Sequence, residues 1–287
     1  MKKHIEKHTR RLDGKTVAIS GATGGIGREL CAQLARLGAS LVLLDRNYSK
    51  SSALKDELQK DYPSLSVRLI TVELEDIESV KQAAEKLTEI KINHLILNAG
   101  AYSISRRKCS TGFDNVFQIN FVSPYYLARR LLPDIRARGG SVVAVGSIAH
   151  DYSKADMSDI DFSSRTRASL AYGNAKRFLT FSLLRGFADG GGISVAHPGI
   201  SFTGITAHYP KFIFAIIKNP MKIIFMKPKK ACLSVLYALF DDCGRNEWIG
   251  PRVFGIWGLP KKQKLSTASD AEADEICAAA DKIYSEL

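Results

Sequence analysis

A tyrosine and a lysine lie four residues apart, at Tyr172 and Lys176, in the stretch LAYGNAKRFLTF. On a helix, residues at i and i+4 share one face, so an ammonium group would lie beside a phenol and favour its ionised form. A phenol that releases its proton near neutral pH is a usable general acid/base. The alternative is two ordinary residues of a helix surface, and the YxxxK spacing alone favours that alternative.

A glycine-rich turn is the second chemical signal. The segment SGATGGIG places Gly21, Gly25 and Gly27 between a β-branched run and a helical pattern. Glycines let the chain turn tightly and let a pyrophosphate approach the backbone, with the N–H groups of the helix facing the anion. A strand before the turn and a helix after it are the context that a dinucleotide site requires.

The cofactor type depends on two neighbouring side chains. Asp45 comes 20 residues after Gly25, at the end of the second predicted strand. A carboxylate there accepts hydrogen bonds from both hydroxyls of the adenosine ribose and repels a 2′-phosphate, which favours NAD. Arg46 favours NADP, because a guanidinium could bind that phosphate. We predict that NAD(H) is preferred over NADP(H), because Asp45 occupies the strand-end position itself.

The elements that position these residues alternate along the chain. Apolar runs such as TVAIS, SLVLLD, HLILNAG and SVVAVGS are separated by longer helical patterns. Strands that are apolar throughout and separated by helices indicate a parallel sheet buried on both faces. The sequence therefore predicts the α/β class, with a single doubly wound (Rossmann) domain over residues 1–287.

Three segments stand outside this alternation. Residues 1–14 read as a basic tail, and 201–230 as a small apolar and basic insertion that forms a substrate lid. Residues 268–287 read as a C-terminal helix, which begins with a capping box at Ser269 and Glu272.

Composition limits the partners. The net charge is +12, and 201–230 holds six lysines and no acidic residue, but no helix-turn-helix, zinc-finger or RNA motif is present. We therefore expect no nucleic-acid partner. Lysines alternate with apolar residues in 205–230, which makes this segment a candidate for peripheral contact with a membrane; a solvated lid is the alternative.

The cysteines and the termini bear on location. The five cysteines are scattered and lack the spacing of a metal site, which indicates a reducing compartment and no metal. The basic N-terminus lacks the apolar run of a secretory signal, and no apolar run approaches the roughly 20 residues of a membrane span. We expect a cytoplasmic protein, with membrane contact at most peripheral.

The order of the motifs resembles the short-chain dehydrogenase/reductase family. The glycine turn and strand-end acid are followed by LNAG ending at Gly100, INF around Asn120, VGS ending at Ser147, the YxxxK pair and HPG ending at Gly199. The resemblance runs from about residue 15 to residue 203. The 25-residue separation of Ser147 and Tyr172, and the segment between them, resemble the retinol-dehydrogenase-like branch.

The resemblance implies NAD(P)-dependent hydride transfer between nicotinamide and an alcohol or carbonyl carbon. Tyr172 would carry the proton, and Lys176 would lower its pKa and hold the nicotinamide ribose. Ser147 would orient the reacting oxygen, and Asn120 would anchor a water that relays protons. Turn formation by Ser147 and satisfaction of helix backbone by Asn120 are the structural alternatives.

The glycine turn and the resemblance together predict the cofactor contacts. Glu73 stands where the family usually has aspartate, which is a departure from its pattern. The predicted contacts are Gly21, Thr23, Gly25, Ile26, Gly27, Asp45, Arg46, Glu73, Leu74, Asn98, Ala99, Gly100, Tyr172, Lys176, Pro198, Gly199, Ile200 and Thr203.

Substrate choice should depend on residues 149–168 and 201–230. The apolar side chains of 201–230 favour a small apolar alcohol or carbonyl compound. Two other functions stay open: a non-catalytic dinucleotide sensor, and a membrane-surface interaction protein. The resemblance also implies a homo-oligomer formed through the helices that carry Asn120 and Tyr172.

Overall fold

The computed structural model describes residues 7–199 and 226–287, which form one eight-stranded sheet. The strands are β1 Thr16–Ser20, β2 Ser40–Asp45, β3 Val67–Thr71, β4 His94–Leu97, β5 Ser141–Val145, β6 Ile193–Ala196, β7 Glu247–Val253 and β8 Trp257–Lys264. Their order in the sheet is β3-β2-β1-β4-β5-β6-β7-β8, with β1 to β7 parallel and β8 antiparallel to β7.

Helices cover the sheet in two layers. One layer contains α1, α2 and α6, and the other contains α3, α4, α5 and α7. Strands β4 and β5 are buried along their whole length and β1 is buried after Thr16, as apolar strands between two helix layers must be. The predicted α/β doubly wound class is confirmed. The helices are α1 Gly25–Arg36, α2 Tyr48–Asp61, α3 Ile77–Ile90, α4 Ser123–Ala137, α5 Ala168–Phe187, α6 Pro228–Ala238 and α7 Asp270–Glu286.

The predicted C-terminal helix is confirmed as α7. The Ser269 hydroxyl accepts the Glu272 N–H at 3.2 Å, as a capping box requires. The carboxylate of Glu272, however, binds other partners and does not return to Ser269. Helix α7 packs on α5 and α4, where Asp281 accepts a hydrogen bond from the Tyr125 hydroxyl at 2.9 Å.

The C-terminal ends of the predicted basic tail and the predicted lid pack against the rest of the fold. Leu12, within the predicted basic tail, is 3% exposed and joins the core. Of the predicted lid, 201–225 lies outside the described residues, whereas Met226 is buried and Pro228 begins α6. Proline suits the first position of a helix because its missing N–H is not needed there.

The hairpin of β7 and β8 was not expected from the sequence. Pro251 lies inside β7, and a register shift follows it between Pro251 and Val253. A proline within an apolar run argues against a central strand, but an irregularity in the ladder accommodates it. The hairpin lies beside β6 and closes this end of the sheet.

Candidate active site

The predicted catalytic residues converge beyond the carboxyl ends of β4 and β5. A methyl group built on Gly100 would lie 2.8 Å from Oδ1 of Asn120 and 3.6 Å from Nζ of Lys176. Three predicted residues from distant parts of the chain therefore meet at one point. Such a crevice at the carboxyl edge is where doubly wound folds bind ligands.

Tyr172 and Lys176 share one face of α5, as the spacing predicts. The Lys176 ammonium lies 5.8 Å from the centre of the Tyr172 ring. Ser147, two residues after β5, lies beside Tyr172, and its side chain acts to lower the pKa of that phenol. The phenol, the ammonium and the serine hydroxyl are thus held together by β5 and α5.

The pKa of Tyr172 moves in the opposite direction from the prediction. Burial raises it to about 12; the hydrogen bond with Ser147 opposes this shift, and the nearby phenols of Tyr152 and Tyr102 add to it. The expected lowering by Lys176 is therefore corrected, because desolvation of the phenolate outweighs the favourable contacts. Near neutral pH the phenol keeps its proton.

Lys176 is also affected by burial. Its side chain is 2% exposed, and its ammonium donates a hydrogen bond to the Val145 carbonyl at 2.9 Å. Desolvation lowers the pKa of Lys176 to about 8. The charge of this ammonium is consequently sensitive to pH just above neutrality.

Ser147 combines a structural role with its place in the site. It precedes the 3₁₀ turn Ile148–Asp151, and its hydroxyl accepts the Ala149 N–H at 3.2 Å. Ser147 therefore does help to form a turn, as the structural alternative expects. The same hydroxyl is the one that contacts Tyr172.

Asn120 is fully buried in a π-helical segment, Gln118–Val122. Its amide nitrogen donates to the carbonyls of Ala101 and Val116, each at 2.8 Å, and its oxygen accepts the Ala101 N–H at 3.2 Å. The carboxamide therefore fixes backbone, as the structural alternative expects. Its proposed hold on a relay water stays a prediction.

The glycine turn has the close packing that the sequence predicts. Gly21 has φ +65°, and a methyl group there would lie 2.9 Å from the Ala99 Cα. A methyl group on Gly27 would lie 2.2 Å from the Gly21 carbonyl oxygen. Gly25 begins α1, and Ile26 packs against the core.

The N-terminus of α1 differs from those of α2, α3 and α7. Side chains of Asn47, Asp76 and Ser269 cap the latter three, whereas the N-cap residue of α1, Gly24, provides no side-chain cap. The first turn of α1 also holds no acidic residue. First-turn N–H groups without a side-chain cap, at the positive end of the helix dipole, suit an anion. This end of α1 fits the pyrophosphate of a dinucleotide.

Asp45 is 7% exposed and is bound by its neighbours. Its Oδ1 accepts from the Thr23 hydroxyl at 2.9 Å and from the Thr23 N–H at 3.3 Å, and its Oδ2 accepts from Ser51 at 3.3 Å. Burial raises the pKa of Asp45, and these hydrogen bonds oppose the shift. Arg46, beside it, is exposed.

Asn98 and Ala99 connect β4 to the glycine turn. The Asn98 amide donates to the carbonyls of Ser20 and Gly21, each at 3.0 Å, and the N–H groups of Asn98 and Ala99 donate to the Ser20 hydroxyl. Ser20 was not among the predicted residues. A polar residue that ends a buried strand is the signal that could have identified it.

Glu73 and Leu74 are less clearly directed to a cofactor. The Leu74 side chain is buried in the core, and its carbonyl accepts from the Ser123 hydroxyl at 2.6 Å. Glu73 is half-buried, and its N–H donates to the Ser79 hydroxyl at 3.0 Å. Both residues hold the segment after β3 in place.

The segment after β6 is fixed by a histidine. Pro198 is buried, and Gly199 has φ +78° and donates its N–H to Nδ1 of His197 at 3.1 Å. A methyl group on Gly199 would lie 2.7 Å from the Ile256 carbonyl oxygen, so the β7–β8 hairpin requires glycine there. The predicted contacts Ile200 and Thr203 lie outside the described residues.

Two tyrosines near the catalytic phenol were missed. The ring of Tyr102 meets that of Tyr172 edge-on, with centres 5.3 Å apart. Tyr152 is 54% exposed, and its Cβ lies close to Gly173. No local pattern in the sequence marks either residue as part of this site.

A cavity of about 550 Å³ lies next to the start of α5. Its walls include Met157, Phe162 and Leu170, and most of its lining comes from the predicted specificity segment 149–168. Phe162 belongs to a small buried apolar cluster, and Leu170 and Tyr172 both pack against that cluster.

Two features of the described residues bear on other functions. Residues 7–199 and 226–287 hold no cluster of three or more histidine, cysteine, aspartate or glutamate side chains placed to bind a metal ion. Among the helices of these same ranges, none combines the length and apolarity needed to cross a membrane.

Known proteins are similar to this chain in sequence and in fold. A family model for short chain dehydrogenase matches residues 15–159. A short chain dehydrogenase of Aspergillus nomiae is 37% identical over 151 residues, which are 48% of this chain and only 41% of that relative's length. Retinol dehydrogenase 12 of Mus musculus is 32% identical, over 84% of this chain and 82% of the relative. A crystal structure of an uncharacterised Mycobacterium paratuberculosis protein has a TM-score of 0.74 at 24% identity, over 96% and 95% of the two chains.

Proposed function

Because the chain belongs to the short-chain dehydrogenase family, we propose that it is an NAD(P)-dependent oxidoreductase acting on a small apolar alcohol or carbonyl compound. The observation that carries this proposal is the meeting of Tyr172 and Ser147, with Lys176 on the same helix face. Bound NAD(P) supplies or accepts the hydride at nicotinamide C4.

Side chains of the protein donate and accept the proton. In carbonyl reduction, the Tyr172 hydroxyl donates its proton to the substrate oxygen, and Ser147 holds that oxygen by a second hydrogen bond. In alcohol oxidation, Tyr172 takes the proton, which requires the ionised phenol. Because burial raises the pKa of Tyr172 to about 12, reduction is favoured near neutral pH and oxidation gains with rising pH.

Lys176 and Asn120 support this proton transfer. The ammonium of Lys176, on the same helix face as Tyr172, would hold the nicotinamide ribose beside the phenol. Asn120 keeps Ala101 and the π-helical turn in place, and its remaining oxygen lone pair is the site for a relay water.

The glycine turn and the first turn of α1 would hold the pyrophosphate. Asp45 would read the adenosine ribose, and its negative charge makes NAD(H) the preferred cofactor over NADP(H). Its Oδ2 accepts from Ser51 and retains acceptor capacity for a ribose hydroxyl. Ile200 and Thr203 are proposed to contact the nicotinamide amide.

The apolar substrate class is supported by one relative and by the apolar contacts of the catalytic phenol. Tyr172 packs against a small apolar cluster that contains Val116 and Phe162, and mostly apolar walls are usual for small-molecule sites. A relative that is 32% identical is named as a retinol dehydrogenase. Retinol-like alcohols and aldehydes are therefore the first compounds to test.

A panel of apolar alcohols, aldehydes and ketones, followed by nicotinamide absorbance with each cofactor, tests the proposal. We expect turnover of at least one apolar carbonyl compound with NADH at neutral pH. Tight NADH binding without turnover of any member of the panel would favour the sensor alternative instead.

A peripheral membrane contact through 205–230 is a second proposal. Lys227, Lys229 and Lys230 are exposed at the start of α6, and clustered lysines attract anionic lipid. Vesicles with and without anionic lipid test this contact; equal binding to both, or to neither, would contradict it.

A homo-oligomer through α4 and α5 would have to form around α7, which already packs on both helices.

A further inference from the structure

An arginine is buried one position after Lys176. The Arg177 side chain is 1% exposed and donates two hydrogen bonds of 2.7 Å to the carboxylate of Glu272. It also donates to the carbonyls of His150, at 2.9 Å, and Thr267, at 2.7 Å. A buried charge is costly unless such partners surround it, so this arrangement needs a reason beyond helix packing.

The guanidinium joins three parts of the chain that meet at the catalytic residues. Arg177 lies on α5 with Tyr172, Glu272 lies in the first turn of α7, and His150 lies in the turn that begins after Ser147. Glu272 also accepts the Ala155 N–H at 2.9 Å. The segment after Ser147 is thereby held at two points.

A second link runs in parallel through the imidazole of His150. Its Nδ1 donates to the Ser147 carbonyl at 2.7 Å, and its Nε2 accepts from the Thr267 hydroxyl at 2.8 Å. The carbonyl can only accept, which fixes this tautomer. The chain just before α7 therefore reaches the backbone of Ser147 itself.

We infer that Arg177 and Glu272 are positioning residues that hold Ser147 against Tyr172 from the C-terminal helix. Neither needs to touch substrate or cofactor. The bidentate pair fixes Arg177 of α5 against Glu272 of α7. From that fixed pair, single hydrogen bonds to the His150 carbonyl and from the Ala155 N–H hold the turn after Ser147. This inference rests on the proposed function for its kinetic consequence, but its structural consequence can be measured without turnover.

A matched control joins the same two helices elsewhere. Arg185, also on α5, binds Asp270 at 2.7 Å and Asp274 at 3.1 Å, both on α7. Those carboxylates are 81% and 67% exposed. Replacing both weakens the contact between the helices without touching the turn after Ser147.

The experiment compares Glu272→Gln, Arg177→Lys and the double control Asp270→Asn/Asp274→Asn in the full chain. A small displacement of catalytic groups costs up to about a hundredfold in rate. We therefore expect Glu272→Gln and Arg177→Lys to lower kcat about tenfold to a hundredfold, with the NADH dissociation constant within about twofold of the parent. The control should keep both values.

Hydrogen exchange supplies the readout that does not require turnover. In Glu272→Gln and Arg177→Lys, the amides of residues 148–155 should exchange at least about tenfold faster, because their local opening is easier. They should be unchanged in the control. Should no substrate be found, the proposed function fails. The exchange pattern would still support the clamp, by which we mean the Arg177–Glu272 pair and its hydrogen bonds to His150 and Ala155.

Two results would overturn the inference. One is unchanged exchange at 148–155 in both clamp variants, whatever their activity. The other is equal acceleration in the clamp variants and the control, which would show that general docking of α7 is all that Arg177 and Glu272 provide.

Discussion

The two halves of the carboxyl edge of the sheet are held in different ways. Around β1 and β2, the glycine turn is fixed by contacts among residues close to it, as when Asp45 binds Thr23 and Asn98 binds Gly21. Around β5 and α5, the catalytic side chains are held from outside, by His150 and Arg177 and through them by the C-terminal segment. Cofactor binding and proton transfer should therefore be separable by mutation.

The largest effect should come from Tyr172→Phe, which leaves the ring and removes the proton donor. Because general acid/base groups contribute roughly 10²–10⁴-fold, we expect kcat to fall about 10³-fold. NADH affinity, measured by nicotinamide fluorescence, should stay within about twofold, since the glycine turn is untouched. Turnover equal to that of the parent would remove Tyr172 from the mechanism.

Gly27→Ala should have the opposite effect to Tyr172→Phe, because it should weaken cofactor binding and leave the proton-transfer residues in place. The new methyl group would lie 2.2 Å from the Gly21 carbonyl oxygen and distort the turn. Because this turn is proposed to hold the pyrophosphate, NADH should bind roughly tenfold to a hundredfold more weakly, a loss of about 1.4–2.8 kcal/mol in binding free energy.

Gly186→Ala is the control for that change, because a methyl group there meets nothing within 4 Å. It should leave the dissociation constant for NADH unchanged. Equal loss of affinity in the two variants would show that the turn is not the cofactor site.

Cofactor choice should respond to Asp45→Ala. Removing the carboxylate removes its repulsion of a 2′-phosphate, so the ratio of kcat/KM with NADPH to kcat/KM with NADH should rise about tenfold. Arg46→Ala should move the ratio the other way. If neither variant changes the ratio, these two side chains do not read the ribose.

The smallest effect concerns pH. Lys176 loses its charge near pH 8, whereas Tyr172 keeps its proton to about pH 12. The kcat/KM for carbonyl reduction should therefore fall to about half its neutral value near pH 8. The kcat/KM for alcohol oxidation should still be rising with pH above neutrality. A plateau that is reached below pH 7 would contradict the raised pKa of Tyr172.

The sequence predicts well what depends on neighbours along the chain. The glycine turn, the shared face of Tyr172 and Lys176 and the start of α7 at Ser269 all follow from local spacing, and all are present. The short-chain dehydrogenase resemblance, which rests on the order of such local motifs, is confirmed.

Contacts between residues that are distant in sequence could not be predicted in this way, nor could the balance of burial and charge that sets a pKa. Arg177 and Glu272 are separated by 95 positions, and neither stands in a motif that links them. The i and i+4 spacing of Tyr172 and Lys176 predicts proximity, but the direction of the Tyr172 pKa depends on how completely the fold buries the phenol.

The central claim is that the Tyr172 site transfers a hydride from bound nicotinamide to an apolar carbonyl compound. The most direct test is incubation of the full chain with NADH deuterated at C4 and an apolar aldehyde or ketone, followed by mass spectrometry of the alcohol. We predict deuterium on the carbinol carbon with the parent protein and almost none with Tyr172→Phe. Bound NADH that gives no labelled alcohol from any member of the panel would contradict the claim.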